Sequence, residues 1–293
     1  MSKRFIYYGS FASAQFFSDL FGMPAAAYSL RKLTPSATNC IRVRRSSDNT
    51  EQDIGFVANV PNSPIDTAAL LAFVGVGNGF VTAWYDQSTN VRNGTQSTST
   101  RQLRIVNSGV VEDLNSLPCL NTFASNAFRD FQTSFSNLQN LPVSILSVFK
   151  IDTLPTNAFN NVTFHIGGSA AVGGGSRYEQ ASDNTNANLT QRRNTSGVVS
   201  TSVTESPTIH KIFASYFTAS NIEMRLNSVD ATPTAYSRTA FNTASNFNLI
   251  NANSIDLQFY GAKRFQEQII YLTDLHSQRT AIETNINDYY NVF

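Results

Sequence analysis

Histidine, the side chain most often found in protein metal sites, occurs at His165, His210 and His276. Structural and catalytic zinc sites usually draw several of their ligands from positions only a few residues apart. These three histidines are far from one another and lack the spacing of metal ligands. The sequence therefore predicts single histidines with structural or surface roles, and no metal and no cofactor.

Tyrosine rings can stack on sugars, and Tyr178, Tyr236 and Tyr260 stand in or beside loop-like segments where a glycan site would lie. Cores of β proteins also need aromatic residues, so packing in the core or at its rim is the simpler interpretation of each. Asp86, which follows Trp84, offers a carboxylate for Ca²⁺ or for a sugar hydroxyl. The alternative is that Asp86 fixes a turn.

Cys40 and Cys119 are the two cysteines of the chain. Two cysteines exclude a disulfide scaffold and a cysteine-rich zinc site. A single bridge between them stays open, but we expect two buried free thiols, because unpaired cysteine behaves as a small hydrophobic residue.

Short apolar runs separated by loops rich in Asn, Ser and Gly indicate the elements that must position these groups. The clearest runs are Val143–Ile151, Val162–Ile166, Ile209–Phe217, Ile222–Leu226 and Gln268–Leu272. Short strands at this spacing are typical of a β-sandwich.

Two further signals lie nearer the N-terminus. Ile41 and Val43 alternate with arginines, which predicts a half-buried strand with its apolar side chains on one face. Asp66 can cap a short helix over Thr67–Phe73, and a strand is expected over Phe80–Tyr85.

The C-terminal segment predicts a helix. Ile282, Ile286, Tyr289 and Tyr290 recur at helical spacing, and Ser277 is the expected N-cap. We expect this helix to lie across the edge of the sandwich.

Residues 1–24 are rich in Phe and Tyr and end at Gly22, Met23 and Pro24, where a helix would stop. This arm either packs on the chain's own core or buries its aromatic residues against another subunit. It lacks the apolar stretch and cleavage site of a secretory signal, and no segment is apolar enough to span a bilayer. We expect an aromatic arm or docking segment over 1–24 and one sandwich domain over 25–293.

The polar surface predicted from this composition carries few charges. Asp, Glu, Lys and Arg make up only 14 % of the residues and the formal net charge is +1, so no basic stripe for nucleic acid is expected. Asn, Ser and Thr fill the polar positions instead. That balance is typical of extracellular and virion β proteins and unusual for a cytoplasmic enzyme.

A set of separated motifs carries a resemblance to known proteins. They are AYSLRKL at Ala27–Leu33, IRVRRSSD at Ile41–Asp48, QDIGF at Gln52–Phe56 and WYDQS at Trp84–Ser88. This pattern resembles the opening of the catalytic domain of α-L-arabinofuranosidase B, and it is at least as similar to a set of bacteriophage structural proteins. In both groups the motifs precede a laminin G-like sandwich.

The C-terminal stretch is similar to the end of concanavalin A/laminin G-like domains. In those domains a strand with a glutamate is followed by a closing helix, as over Gly261–Leu272 and Gln278–Tyr290. The two resemblances span about 25–293 and imply an all-β, concanavalin A/laminin G-like antiparallel β-sandwich (jelly roll) with a short C-terminal helix and an N-terminal arm.

Retaining glycosidases need two carboxyl groups roughly 5 Å apart. The resemblance puts one in the middle of the sandwich, where this chain has Glu179 and Asp183, and the other in a late turn, where it has Asn251 and Asn253. An amide cannot replace a proton-donating acid. The adjacent cysteines that line the sugar site of the family enzymes are also missing from this sequence. We therefore expect no catalytic residues and no enzyme, with an arabinofuranosidase-type hydrolase as the alternative.

The phage-like opening, weak charge and missing acid predict a bacteriophage virion protein that decorates the capsid or belongs to a head fibre or tail. Its arm is expected to contact other virion proteins, and its sandwich to face outward toward a host-surface glycan. We expect a homo-oligomer, and by analogy with phage fibres a trimer. The expected location is the virion, which is assembled in the host cytoplasm. Neither nucleic acid nor membrane insertion is expected. A free carbohydrate-binding module is a further alternative.

Overall fold

The computed structural model describes residues 14–123, 129–133, 142–153, 161–167, 177–182, 188–194, 197–206, 208–235, 247–250 and 262–293. Along the strands between 161 and 198, and at 247–248, the description is of backbone and register. The predicted arm is described from residue 14 onward, and the rest of it lies outside these ranges.

Short strands follow one another along the first half of the chain. They are β1 (Ala26–Ser29), β2 (Asn39–Arg45), β3 (Glu51–Gly55), β4 (Gly79–Trp84), β5 (Gly94–Thr95), β6 (Leu103–Asn107), β7 (Val110–Val111), β8 (Asp113–Leu114), β9 (Leu117–Pro118), β10 (Leu120–Asn121) and β11 (Phe131–Thr133).

Longer strands dominate the second half. They are β12 (Val143–Ile151), β13 (Asn161–Gly167), β14 (Arg177–Ser182), β15 (Asn188–Asn194), β16 (Gly197–Val203), β17 (His210–Phe217), β18 (Asn221–Leu226), β19 (Val229–Asp230), β20 (Thr234–Ala235), β21 (Phe247–Ile250) and β22 (Lys263–Tyr271). The helices are α1 (Phe17–Phe21), α2 (Thr67–Val74) and α3 (Arg279–Tyr290), with 3₁₀ turns at Ser99–Arg101 and His276–Gln278.

The strands pair antiparallel and form two layers. In the first layer β22 lies between β12 and the short strands β1 and β10, and β17 and β18 follow beyond β12. The second layer runs from β3 through β2, β4, β5, β11, β21, β13, β14 and β15 to β16. Strand β10 also pairs with β6, which pairs with β4, so the two layers are joined at one corner.

The main core lies between the layers. Tyr28, Ile145 and Phe149 from the first layer and Ile41 and Trp84 from the second belong to one cluster and are fully buried. Layers that bury one apolar face each against the other are the architecture of a β-sandwich. The predicted all-β sandwich with a C-terminal helix is therefore confirmed.

Helix α3 covers the outer face of the first layer. Ile282, Ile286 and Tyr290 pack with Leu146 of β12 and Ile212 of β17 in a second apolar cluster. The expectation that α3 lies across the sandwich edge is wrong. The central strands of this layer are buried on both faces, so their outer face needs an apolar cover.

The start of α3 also differs from the prediction. Ser277 lies inside the 3₁₀ turn His276–Gln278, and the N-cap residue is Gln278, whose side chain makes no capping hydrogen bond. Ser277 is therefore not the cap, because the 3₁₀ turn moves the first helical residue to Arg279. At the other end Asn291 takes the left-handed conformation, with φ 48°, and stops the helix.

Other local expectations are confirmed. Asp66 caps α2 by accepting a hydrogen bond from the N–H of Ala69 at 2.9 Å. In β2, Ile41 and Val43 are buried while Arg42 is exposed. Helix α1 ends at Gly22, with φ 79°, and its Phe17 is buried in the second apolar cluster.

No helix within the described ranges has the length and apolar character needed to cross a bilayer.

Candidate functional site

The WYDQS motif forms a hydrogen-bonded turn around Asp86. One carboxylate oxygen accepts hydrogen bonds from the N–H groups of Ala27 and Ser88, each at 2.8 Å. The other accepts from the N–H of Arg92 at 2.8 Å and from the Ser88 hydroxyl at 2.7 Å. With both oxygens occupied by the chain's own donors, Asp86 fixes a turn, which was the second of the two interpretations.

Gln87 of the same motif ties the turn to β1 and the segment after it. Its Oε1 accepts from the N–H of Leu33 at 2.7 Å. Its Nε2 donates to the carbonyls of Ser29 at 3.0 Å and Arg31 at 2.9 Å. The side chain is buried, so these bonds satisfy groups that water does not reach.

Arg31 of the AYSLRKL motif forms a buried ion pair with Glu267 of β22. Arg31 Nε lies 2.8 Å from Glu267 Oε2 and Nη2 lies 3.0 Å from Oε1, a bidentate arrangement. Both side chains are almost fully buried, at 0 % and 1 % exposure. Burial acts to lower the pKa of Arg31, but the charge of Glu267 raises it above its ordinary value.

The Arg31–Glu267 pair has further partners. The hydroxyls of Ser29 and Tyr290 donate to Glu267 Oε2 at 2.6 and 3.1 Å, and Arg31 Nη1 donates to the amide oxygens of Asn62 and Asn285. The two ends of the resemblance therefore meet at this pair. Two of the motifs that carry the resemblance, AYSLRKL and WYDQS, are therefore structural: together with Glu267 they connect β1 to β22, α3 and the Asp86 turn.

Cys40 and Cys119 are free and buried, so the expected free thiols are confirmed. Burial raises the pKa of both thiols well above the ordinary value, which keeps them protonated and unreactive at neutral pH.

The two histidines with described side chains are separate from each other. His210 Nε2 lies 3.0 Å from Gln266 Oε1, and His276 Nε2 lies 2.8 Å from a carboxylate oxygen of Glu223. Among the described residues no group of His, Cys, Asp and Glu is arranged to hold a metal ion.

The second layer carries a row of polar residues, one on each of seven neighbouring strands, which we call the polar row. Its members are directly opposite one another in the strand register: Thr95, Gln132, Asn248, His165, Glu179, Gln191 and Ser200. His165 pairs with Glu179 on one side and with Asn248 on the other. Directly opposite residues in an antiparallel sheet share a face, with Cβ atoms about 5 Å apart.

The polar row belongs to the face of the layer that points away from the core. At one end Thr95 is exposed while its neighbour Gly94 is buried, and at the other Ser200 is exposed between Val199, which packs against the core, and the buried Thr201. Gln132 is half-buried between two buried residues of β11. The alternation of strand residues thus places Thr95, Gln132 and Ser200, the members of the row with described side chains, on the outer face.

A register irregularity between Phe131 and Gln132 adjusts the pairing of β11 with β21 beside the row. Leu249, the extra residue of β21 there, and Ile250 are both fully buried. The bulge lets these two consecutive residues enter the core and places position 248 opposite Gln132. Bulges are common beside functional sites because they change the direction in which a strand presents its residues.

The carboxylate of Glu179 is an acceptor, the amides of Gln132, Gln191 and Asn248 offer both donors and acceptors, and an imidazole offers either. This set of groups can hydrogen-bond the hydroxyls of a polyhydroxylated ligand. Glu179 is the one carboxyl residue of the row, whereas glycoside hydrolysis by the usual route needs two.

The other residues considered from sequence fall elsewhere. The register pairs Tyr178 with Ile166, one position away from the row. Asp183, Asn251, Asn253, Tyr236 and Tyr260 lie outside the described residues. Gln132, Gln191 and Ser200 were missed, because their only signal is a cross-strand register that a single sequence does not show.

Solved structures with a similar fold include glycosidases. A GH54 α-L-arabinofuranosidase soaked with a cyclic sulfate inhibitor matches with a TM-score of 0.65 and 14 % identity, over 94 % of this chain and 64 % of that one. An arabinofuranosidase complexed with arabinofuranosyl-α-1,2-xylobiose matches with a TM-score of 0.60, with the same identity and coverage. This chain thus spans less than two thirds of the length of either. No family model matches the chain.

A Trypanosoma rangeli sialidase in complex with sialic acid aligns over 69 % of this chain and 31 % of its own, with 10 % identity and a TM-score of 0.47. No curated protein matches by sequence. At these identities the arabinofuranosidase matches establish the fold, a β-sandwich of the kind found in those enzymes.

Proposed function

We propose that this protein binds carbohydrate on the outer face of its second layer, through the polar row. The observation that carries the proposal is the register that aligns Gln132, Asn248, His165, Glu179 and Gln191 across adjacent strands. The arabinofuranosidase whose structure holds an arabinose-containing oligosaccharide supports it, since that enzyme has the same type of sandwich.

The spacing of the row suits an extended saccharide. Neighbouring strands lie about 4.8 Å apart, so the row offers one polar residue per strand along a line that crosses the layer. A chain of sugar rings laid along this line would meet a new hydrogen-bonding residue at each step. Binding is proposed ahead of hydrolysis because the row contributes a single carboxyl group, Glu179.

A second candidate function is glycoside hydrolysis, with Glu179 as nucleophile or acid. It is favoured by the similarity to arabinofuranosidases and by the pairing of Glu179 with His165, a residue able to exchange protons near neutral pH. It requires a second carboxyl group about 5 Å from Glu179.

The setting we propose is the bacteriophage virion, with the sandwich presented outward as a capsid-decorating, fibre or tail subunit and the N-terminal segment in contact with other virion proteins. The support is the resemblance of the YSLR, IRVRRSSD and WYDQS motifs to phage structural proteins. Mass spectrometry of purified particles tests this: the protein should co-purify with them in fixed proportion. Absence from intact particles would refute the setting and leave the binding proposal in place.

The binding proposal is tested with the whole chain on an array that carries arabinoxylan, arabinan and sialylated oligosaccharides, followed by calorimetry on the best ligand. Glu179→Gln should weaken binding about tenfold or more, the usual effect of losing a hydrogen bond to a charged group. Glu51→Gln removes an exposed glutamate from β3 of the same layer and should leave the affinity unchanged.

Equal affinity for the parent, Glu179→Gln and Gln191→Ala would refute a site on the polar row. Release of nitrophenol from 4-nitrophenyl α-L-arabinofuranoside by the parent, abolished in Glu179→Gln, would establish the hydrolase instead.

A further inference from the structure

A cavity of about 300 Å³ opens on the other layer, beside the C-terminal end of α3. Lys150, His210 and Arg264 line it from the strands, and Asn115 and Asn291 line it from the loops. A volume of this order lies at the lower limit of small-ligand pockets and fits a small anion or one sugar ring. The cavity is independent of the polar row.

The three strand residues form a second cross-strand row, which we call the basic row. Lys150 of β12 is directly opposite His210 of β17 on one side and Arg264 of β22 on the other. All three therefore share one face and meet at Cβ separations of about 5 Å. This row continues the outer face of the first layer beyond the part that α3 covers.

Two cations directly opposite each other destabilise a sheet. Asp152 forms an ion pair with one of these two cations, Arg264: its carboxylate oxygens lie 2.8 Å from Arg264 Nε and 2.5 Å from Nη2. Among the described residues, no acidic side chain forms an ion pair with Lys150 as Asp152 does with Arg264. Local violations of a stabilising rule are concentrated at functional sites.

The helix end does not supply the missing negative charge. The C-terminus of a helix attracts cations through its last carbonyl groups. Here the carbonyls of Tyr290 and Asn291 accept hydrogen bonds from Asn115 Nδ2 at 2.9 and 2.6 Å. These two carbonyls are engaged by the chain, and Arg264 is held by Asp152 and by the carbonyl of Asp113, so Lys150 is the cation of the lining without a described ion-pair partner.

The pKa of His210 reflects its burial and the charges around the cavity. Burial is the main reason why the pKa of His210 is lowered to about 4, and the positive charges of Lys150, Arg264 and Lys211 contribute to this lowering. Gln266, which contacts the ring through its side-chain oxygen, acts to raise it. The histidine is thus neutral at neutral pH in a surrounding that favours the arrival of an anion.

We propose that the basic row is a binding site for a small oxyanion, a carboxylate or a sulfate, held by Lys150 with Arg264 and hydrogen-bonded beside His210. The oxyanion is either a free ion or the acidic group of a saccharide. A negative charge in the cavity gives Lys150 a counter-charge, as Asp152 already does for Arg264. It also raises the pKa of His210, because an anion stabilises the imidazolium form.

The first test titrates the protein with sodium sulfate against sodium chloride at constant ionic strength. Two readouts are followed: the melting temperature and the ring NMR signal of His210. Sulfate should raise the melting temperature saturably and shift the His210 titration to higher pH. Lys150→Gln should weaken the apparent affinity about tenfold or more, while Lys150→Arg should keep it.

The matched control is Arg42→Gln, which removes one positive charge from the exposed face of β2 in the second layer. It should bind sulfate as the parent does. Equal sulfate affinity in the parent and Lys150→Gln, or a His210 signal unmoved by sulfate, would overturn the proposal.

A second arm separates the two sources of the anion. Galacturonate, acetate and galactose are compared by calorimetry with the parent and Lys150→Gln. Galacturonate binding more tightly than acetate, with no binding of galactose, supports the site and assigns it to an acidic saccharide. Equal affinity for galacturonate and acetate supports the site and assigns it to a free ion.

Discussion

The two layers of the sandwich use their outer faces in opposite ways. In the first layer the outer face is largely apolar and lies under α3, with the Arg31–Glu267 pair enclosed at its margin. In the second layer the polar row occupies the outer face, and both of its ends are exposed. The polar groups around Arg31 and Glu267 in the first layer are bonded to one another, whereas the polar row aligns hydrogen-bonding residue types across seven neighbouring strands. The first arrangement stabilises the fold, and the second is suited to a ligand.

The largest expected effect comes from the buried pair. Glu267→Gln leaves the guanidinium of Arg31 enclosed without its counter-charge, and we expect a loss of about 3–5 kcal/mol in the free energy of unfolding. Urea denaturation measures it. Asp53→Asn, which breaks the exposed pair with Arg42, is the control and should cost about 1 kcal/mol or less. Similar losses in both variants would mean that enclosure of the pair does not matter.

The second-largest expected effect tests the packing of α3 on the first layer. Ile286 of α3 is fully buried against the sheet, so Ile286→Ala should lower the free energy of unfolding by about 2–4 kcal/mol. Val76→Ala is the matched control, because Val76 is 93 % exposed and its truncation should change almost nothing. A loss below about 1 kcal/mol for Ile286→Ala would contradict the packing of α3 on the layer.

A smaller effect is expected at the Asp86 turn. An amide has one acceptor oxygen, so Asp86→Asn loses part of the four hydrogen bonds that the carboxylate accepts, at a cost of about 1–3 kcal/mol. Thermal unfolding with and without Ca²⁺ tests both interpretations of Asp86, as a residue that fixes the turn and as a Ca²⁺ ligand. A melting temperature that rises with Ca²⁺ in the parent and not in the variant would restore the cation-site interpretation.

The smallest effect sharpens the comparison most. Glu179→Gln changes a residue of the polar row in the second layer. It should change the free energy of unfolding by less than about 0.5 kcal/mol, while it weakens glycan binding. Denaturation of this variant beside Glu267→Gln compares one glutamate from each layer. A large loss of unfolding free energy in Glu179→Gln would show that the polar row also stabilises the fold.

Much of the secondary structure was readable from the sequence. The apolar run Val143–Ile151 coincides with β12, and Asp66 caps its helix, because both depend on neighbours in the chain. The position of α3 was not readable. Its apolar stripe predicts a helix, but whether it lies on a face or an edge depends on β12 and β22 being buried on both sides, which becomes clear only when the layers are assembled.

The candidate sites were less predictable than the fold. Glu179 was considered from a resemblance, but its alignment with His165 and Gln191 follows from strand pairing. The basic row has the same origin: Lys150 and Arg264 are distant in sequence and adjacent only through register. The motif residues Asp86 and Arg31 were easy to single out in the sequence. They are structural, because their polar groups are hydrogen-bonded within the fold.

The pairing of β1 with β22 has a consequence for biosynthesis. Glu267 is synthesised 236 residues after Arg31, so the guanidinium stays without this partner while that stretch is translated. Strand β22, in the middle of the first layer, is made after its neighbours β1, β10 and β12, so the contacts that complete this layer are strongly non-local. The nascent chain should therefore expose its unfinished sheet until β22 emerges, which makes it a natural client for chaperones during synthesis.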